Sequence, residues 1–325
     1  MSLNPEQLEE HCEIILKSPE IRNKIVVLCE GTIPEIGGRK SVQSYKAMKH
    51  RPDANFYMDC IPKWWSQKRP TFFNCGDRKD VIDTYFTLLT LHEQDTTNSN
   101  LAPERLFAMI DLDLQLQTIE NYIFKDTEAI FRNLYEKSQV KEPNAAQHRI
   151  WITGLIHKEA YFLTPELQSV FDDYPNSPYY KYQENLASLT NIYSDMADTI
   201  SSDKDLQLNT KRALERINHC SGLDCTELDL DKFQDSWKHQ FQNTTDATQK
   251  HELIVALLTI KKAKDYWHLI KPSGDFSRED WVYREQLASE IGRFYSEQSS
   301  DVKSHIPFFF KTLYELVYLD KTPQL

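Results

Sequence analysis

Two aspartates, two residues apart at the end of an apolar run, are the first chemistry the chain offers. Asp111 and Asp113 stand in the segment ERLFAMIDLDLQ, residues 104–115, and in an extended strand residues i and i+2 point to the same face. Carboxylates that close repel one another unless a cation neutralises them, and hard oxygen donors select Mg2+ or Mn2+ over zinc. Two more apolar runs lead to carboxylates: KIVVLCEG, 24–31, to Glu30, and RIWITGLIHKEAYFL, 149–163, to Glu159. Ligands of open α/β sheets bind outside the carboxyl ends of the strands, so Glu30, Asp111 and Glu159 are expected to converge there. The plainer alternative is that Asp-Leu-Asp opens a loop as turn or cap residues. Glu30-Gly31 at a second strand end favours the site.

The elements that must position these groups read as alternating strands and helices. Pro5–Lys17 places Leu8, Cys12, Ile15 and Leu16 at helical spacing behind Asn4 as N-cap. KIVVLCEG is a buried strand meeting a loop, TFFNCG (71–76) a second, and DRKDVIDTYFTLLTLH (77–92) a helix with one apolar stripe. LFAMI and the run from 149 supply the third and fourth strands. This spacing predicts βαβ units, hence an α/β domain with a mainly parallel central sheet over 20–165. From about Thr164 the strand signals stop and helical periodicity takes over, so 166–325 is expected to be a helical region.

Between the first two strands, at about 32–70, lies an irregular insertion punctuated by Pro34, Pro52, Pro62 and Pro70. From Gly37 to Lys79 there are ten Lys or Arg against three Asp, in a chain whose net charge is -11. Arg39, Lys40, Lys68, Arg69, Arg78 and Lys79, interleaved with Tyr45, Trp64, Trp65, Phe72 and Phe73, combine cations for phosphates with rings that stack on bases. The other reading is a solvated basic surface facing the acidic half, with the tryptophans as packing residues.

Glu30-Gly31 after an early apolar strand, followed by a strand ending in Asp111-Leu-Asp113, resembles the TOPRIM domain of topoisomerases, primases and the overcoming-lysogenisation-defect nucleases. Asp53-Ala-Asn-Phe-Tyr57, Asn74-Cys-Gly76 with Lys79, and Lys158-Glu159-Ala-Tyr161 are similar to further motifs of the last group and its uncharacterised bacterial relatives. The resemblance covers about residues 24–165. It implies a TOPRIM/Rossmann-like fold, Mg2+ or Mn2+ on Asp111 and Asp113, Glu30 as ligand or general acid/base, and phosphodiester cleavage of DNA or RNA. Glu159 and Asp53 are candidates for another metal position. No Walker motif is present, so any ATP-driven step would need a separate ATPase partner. The competing expectation is a non-catalytic binding or interaction module whose acidic site has decayed.

Other signals are weaker. Gly37-Gly-Arg-Lys-Ser41 lacks the spacing of a phosphate-binding loop. His219, Cys220 and Cys225 lack a second ligand pair for zinc. Lys261-Lys-Ala-Lys264 reads as the solvated face of a helix. No run approaches the roughly 20 apolar residues of a membrane span, and the six cysteines are scattered. The expectation is a cytoplasmic protein with reduced thiols and no membrane contact.

Overall fold

Four apolar segments form the strands of one all-parallel sheet in the computed structural model, which describes residues 3–33, 52–65, 68–172, 180–272 and 279–319. They are β1 (Val26–Cys29), β2 (Thr71–Asn74), β3 (Leu106–Ile110) and β4 (Ile150–Ile152), in the spatial order β2-β1-β3-β4. Val26 is aligned with Thr71 on one side and Leu106 on the other, and Ala108 with Ile150. Every residue of these strands is buried. A parallel sheet covered on both faces needs such uninterrupted apolar runs.

The two faces are covered by different parts of the chain. Cys75, just past β2, meets His11 of α1 (Pro5–Lys17) at 3.5 Å, and α1 packs in turn on α3 (Arg78–Gln94). Phe72 points the other way, stacking on Tyr57 of α2 (Pro52–Asp59) and meeting Phe310 edge-on. Side chains cap both helix starts: Asn4, the expected N-cap, bonds the Gln7 N–H, and Asp77 exchanges bonds with Asp80 in a capping box that the apolar stripe alone did not show.

After α4 (Thr127–Leu134) and β4, the chain is mainly helical: α5 (Leu189–Asp198), α6 (Lys204–Ile217), α7 (Leu230–Asn243), α8 (Ala247–Ile260), α9 (Asp280–Glu297) and α10 (His305–Tyr314). Strands do not stop at Thr164, however. Tyr180–Tyr182, Asn185–Leu186 and Ile270–Pro272 form a small antiparallel sheet. Segments of two or three residues are too short to show an alternating pattern, and two of these pair across about ninety residues of sequence.

The last helix closes the sheet. Phe309 of α10 lies 5.0 Å from Trp151, and Phe310 reaches Trp65 and Phe72, so one apolar cluster runs from α1 to α10. Gly154 exists for this contact. A Cβ there would stand 2.2 Å from His305 Nδ1 and 2.9 Å from Tyr135 Cε1. The same turn is fixed by Tyr161, whose hydroxyl accepts the Gly154 and Leu155 N–H groups at 2.8 and 3.2 Å. His305 Nε2 donates to the Ser138 carbonyl at 2.8 Å, which leaves Nδ1 to accept from Tyr161 Oη at 3.1 Å. Gly154→Ala is therefore expected to cost about 1–3 kcal/mol through overpacking, read as a lowered urea midpoint. An unchanged midpoint would show that α10 gives way freely.

All six cysteines are free thiols, five of them buried. Among the described residues, no helix is long and apolar enough to cross a membrane.

Candidate acidic centre at the carboxyl ends of the strands

Strand order fixes where a site can form. With β1 central and β2 and β3 on either side of it, the connections change direction between β1 and β3, which opens a crevice beyond their carboxyl ends. Glu30 follows β1 and Asp111 follows β3. The Asp111 N–H donates to Glu30 Oε1 at 2.8 Å, and the Lys158 N–H donates to Asp111 Oδ1 at 3.1 Å. Glu30 is held in place by the pair after it: Gly31 and Gly76 exchange backbone bonds of 2.8 Å each, extending the β1–β2 pairing beyond the strands. Gly76 has φ +92, and a Cβ on it would stand 2.3 Å from Asp80 Oδ2, so a side chain there is excluded twice over.

Burial and like charge both act on the two carboxyls. Burial raises Glu30 to about 7; the Asp111 N–H and the Arg78 guanidinium pull down against it, while Asp113 and Asp77 push up. Asp111 is raised well above the ordinary aspartate range, by burial first and by Glu30 second, and the Glu159 charge adds to this. These are the conditions under which a cation is favoured.

Asp113 arrives by another route than the sequence spacing implies. Strand β3 ends at Ile110, so Asp111 and Asp113 do not share a strand face. Asp113 sits in the loop with φ +41, a left-handed conformation that aspartate tolerates better than most residues. Its N–H bonds the Ile156 carbonyl at 2.9 Å and its Oδ1 accepts from the Leu114 N–H at 2.6 Å. Thr153, at the end of β4, steadies the same loop by accepting the Leu112 N–H at 3.0 Å.

Glu159 is not at a strand end. Strand β4 stops at Ile152 and Glu159 lies in the 3-10 segment Lys158–Leu163, with the Thr-Gly turn in between. Its Oε2 stands 3.0 Å from His157 Nδ1, outside hydrogen-bond alignment. Burial raises the Glu159 carboxyl, but the His157 ring and Lys158 outweigh it and hold the group below the usual carboxylate range. His157 Nε2 accepts the Ala263 N–H at 3.0 Å, and the Ile156 N–H bonds the Leu258 carbonyl at 3.0 Å, so the turn after β4 is tied to the end of α8.

The basic residues divide. Arg78 is half-buried at the start of α3, where its Nη1 lies 3.4 Å from the Leu112 carbonyl and its charge reaches Glu30. Lys79 is exposed and bridges to Asp83. Lys68 and Arg69 precede β2 and lie at the opposite, amino end of the sheet; the Lys68 ammonium sits 4.3 Å from the centre of the Tyr318 ring. Arg39 and Lys40 lie outside the described residues, as does the Gly37–Ser41 stretch, and Asp53 falls in α2. The tryptophans also divide: Trp65 is a core residue and Trp64 is 62% exposed.

Two cations that act on Asp113, Lys262 and Arg216, are invisible in the sequence pattern. Lys261-Lys262 is not a solvated helix face: Lys261 caps the end of α8, is buried, and bridges to Asp203. Lys262 bonds Asp205 at 2.6 Å, and its charge is stabilised by Asp113 as well as by Asp205. Arg216 of α6 also feels Asp113. Helices far along the chain deliver these cations, so no local motif could reveal them.

Among the described residues, no group of three or more His, Cys, Asp or Glu stands in metal-holding arrangement. The pair Glu30 and Asp111 is the acidic nucleus, with Asp113 beside it. Compared with known proteins, the chain matches no family model, no curated protein and no solved structure.

Proposed function

We propose that the chain is a metal-dependent phosphodiesterase acting on nucleic acid, a TOPRIM-like nuclease in which Glu30 and Asp111 hold Mg2+ or Mn2+ and Asp113 completes the acidic wall. The observation that carries this reading is the Glu30–Asp111 pair at the β1/β3 crevice, backbone-anchored and with both carboxyls raised. The donors are carboxylate oxygens, which suits a hard cation. Two carboxylates without a third also suit Mg2+, which keeps several waters and binds through one or two carboxylates plus substrate phosphates. When bound, the ion would activate water and stabilise charge on the leaving oxygen.

The chain's own groups supply the rest. Glu30, raised to about 7 in the metal-free protein, would release its proton as the ion binds, so metal binding is expected to tighten as pH rises through neutrality. Arg78 offers a cation beside Glu30, and Lys262 offers one beside Asp113. Glu159 stays ionised against His157 and Lys158, which fits a supporting charge better than a proton carrier.

The test is cleavage of supercoiled DNA, single-stranded DNA and RNA with Mg2+ or Mn2+, run beside the Asp111→Ala/Asp113→Ala variant. Cleavage that needs the metal and is lost in the variant supports the reading. Cleavage equal in both, or none in either, overturns it. The second reading, a non-catalytic module with a decayed acidic site, draws on the absence of a three-ligand group among the described residues and expects no cleavage.

A further inference from the structure

A cleft of about 500 Å³ opens beside the loop that carries Asp113, between residues 116–132 on one side and α6 on the other. Its floor is tied to the acidic loop. Arg212 donates from Nη1 to the carbonyl of Leu114, the residue after Asp113, and at 2.9 Å to Asn209 Oδ1. Helix α6 leaves helical geometry at Asn209 (φ -125, ψ 21), and Asn209 lines the cleft.

Charge in this cleft is not balanced. Asp126 spends its carboxylate on the Ala129 N–H at 2.7 Å, capping α4. Glu128 holds Arg216 at 2.7 Å and Arg132 at 3.3 Å; Glu215 holds Arg132 at 2.8 Å and Lys211 at 3.9 Å. Every carboxylate lining the cleft is thus committed, whereas among the described residues Lys125 and Arg212 pair with none. Arg212 also lowers the pKa of its neighbour Arg216, after burial. Over these cations stand two leucines that a core would hide, Leu208 at 82% and Leu116 at 46% exposure. Uncompensated cations next to exposed aliphatic walls suit an anion with an apolar body, which describes a nucleotide unit: phosphate on the cations, sugar and base on the leucines.

We propose that this cleft is the strand-binding groove of the acidic centre, in which the backbone of a single-stranded nucleic acid is held by Lys125 and Arg212 and, at the rim, by Lys211, whose 3.9 Å approach to Glu215 is too long for a hydrogen bond and whose side chain is 75% exposed. The inference rests on the phosphodiesterase reading for its direction: a strand with one phosphate at Asp111–Asp113 has the Leu114–Leu116 loop and this cleft as its next surface. A volume of this size takes roughly a nucleotide or two, on the scale of ordinary ligand pockets, which fits one strand better than two. The basic pair Lys68 and Arg69 cannot serve the same phosphates. Strands of four or five residues, rising about 3.3 Å per residue, separate them from the acidic centre.

The experiment is fluorescence anisotropy of a fluorescein-labelled fifteen-nucleotide thymidine strand, in EDTA, with wild type, Lys125→Glu/Lys211→Glu, Leu208→Asp and Lys68→Glu/Arg69→Glu, each checked for wild-type melting. The expected result is affinity about tenfold or more weaker in Lys125→Glu/Lys211→Glu at low salt, and a salt slope shallower by about 1.4 for two lost phosphate contacts on a single strand. Leu208→Asp is expected to weaken binding at unchanged slope, and Lys68→Glu/Arg69→Glu to leave it as in wild type. Affinity and slope unchanged in Lys125→Glu/Lys211→Glu, weakening confined to Lys68→Glu/Arg69→Glu, or no binding by wild type overturns the proposal. The two readings fail separately. Metal-dependent cleavage with binding indifferent to Lys125 and Lys211 sinks the groove alone, and groove-dependent binding without cleavage sinks the phosphodiesterase alone.

Discussion

Asp111→Asn is expected to abolish phosphodiester cleavage while making the metal-free protein more stable. The substitution keeps the shape of the side chain and an oxygen that can accept the Lys158 N–H, but it removes a charge that burial and Glu30 both oppose. A carboxyl whose pKa is raised on folding binds protons more readily in the folded state, so its contribution to stability is lost as pH rises from the unfolded value through the folded one. At neutral pH wild type therefore carries a penalty that asparagine does not. Relief of about 1 kcal/mol would raise the melting temperature by roughly 1–2 °C in a chain of 325 residues. Activity should move the other way, by on the order of 10³-fold or more, since the residue is placed to act as part of a unit. Mg2+ or Mn2+ should raise the melting temperature of wild type by binding the folded state and leave that of Asp111→Asn unmoved. A variant that melts below wild type without metal would overturn the buried-charge penalty, and one that still gains from the ion would remove Asp111 from the metal site.

That trade explains which parts of the protein were legible beforehand. The sheet was, because strands buried on both faces must be written as unbroken apolar runs; VVLC, TFFN, LFAMI and IWI stand out from their flanks. Helix α1 was, because Asn4 caps it with a side-chain bond that only a few residue types can make, and α3 was, because its apolar residues recur on one stripe. So was the placement of Glu30 and Asp111 just beyond strand ends, because each directly follows such a run. Glu159 was misplaced, since the run from 149 continues in apolar residues after the strand has ended at Ile152 and the chain has turned at Gly154. Nor could spacing show that FFFKTLYELVYL folds back on the sheet: its helical period is local, whereas the partners of Phe309 and Phe310 are Trp151, Trp65 and Phe72. The same holds for charge. The concentration of Lys and Arg in 37–79 marks a segment, but a strand's length separates Lys68 from Arg78, and two cations that act on Asp113 come from α6 and the end of α8.

The largest loss of stability is expected from breaking the pair that ties α4 to α6. Arg216 bonds Glu128 through Nε at 3.1 Å and Nη2 at 2.7 Å, with side-chain exposures of 2% and 11%. The guanidinium carbon lies 5.4 Å from the centre of the Phe131 ring, and Nη1 is buried with no partner. Removing one member leaves the other charge desolvated, so Arg216→Met should cost about 3–5 kcal/mol. Arg132, 3.3 Å from Glu128 and 59% exposed on its side chain, can draw the stranded carboxylate outward and set the lower end of that range. Glu128→Leu/Arg216→Met should recover most of the loss, because two apolar side chains of similar volume need no desolvation of charge. Urea unfolding of the two single variants and the double one gives the coupling energy directly. A single-variant cost below about 1 kcal/mol would mean that water reaches the pair. A double variant no more stable than the worse single would mean that the ion pair itself, rather than its burial, holds α6 and hence Arg212 against the loop of Asp113.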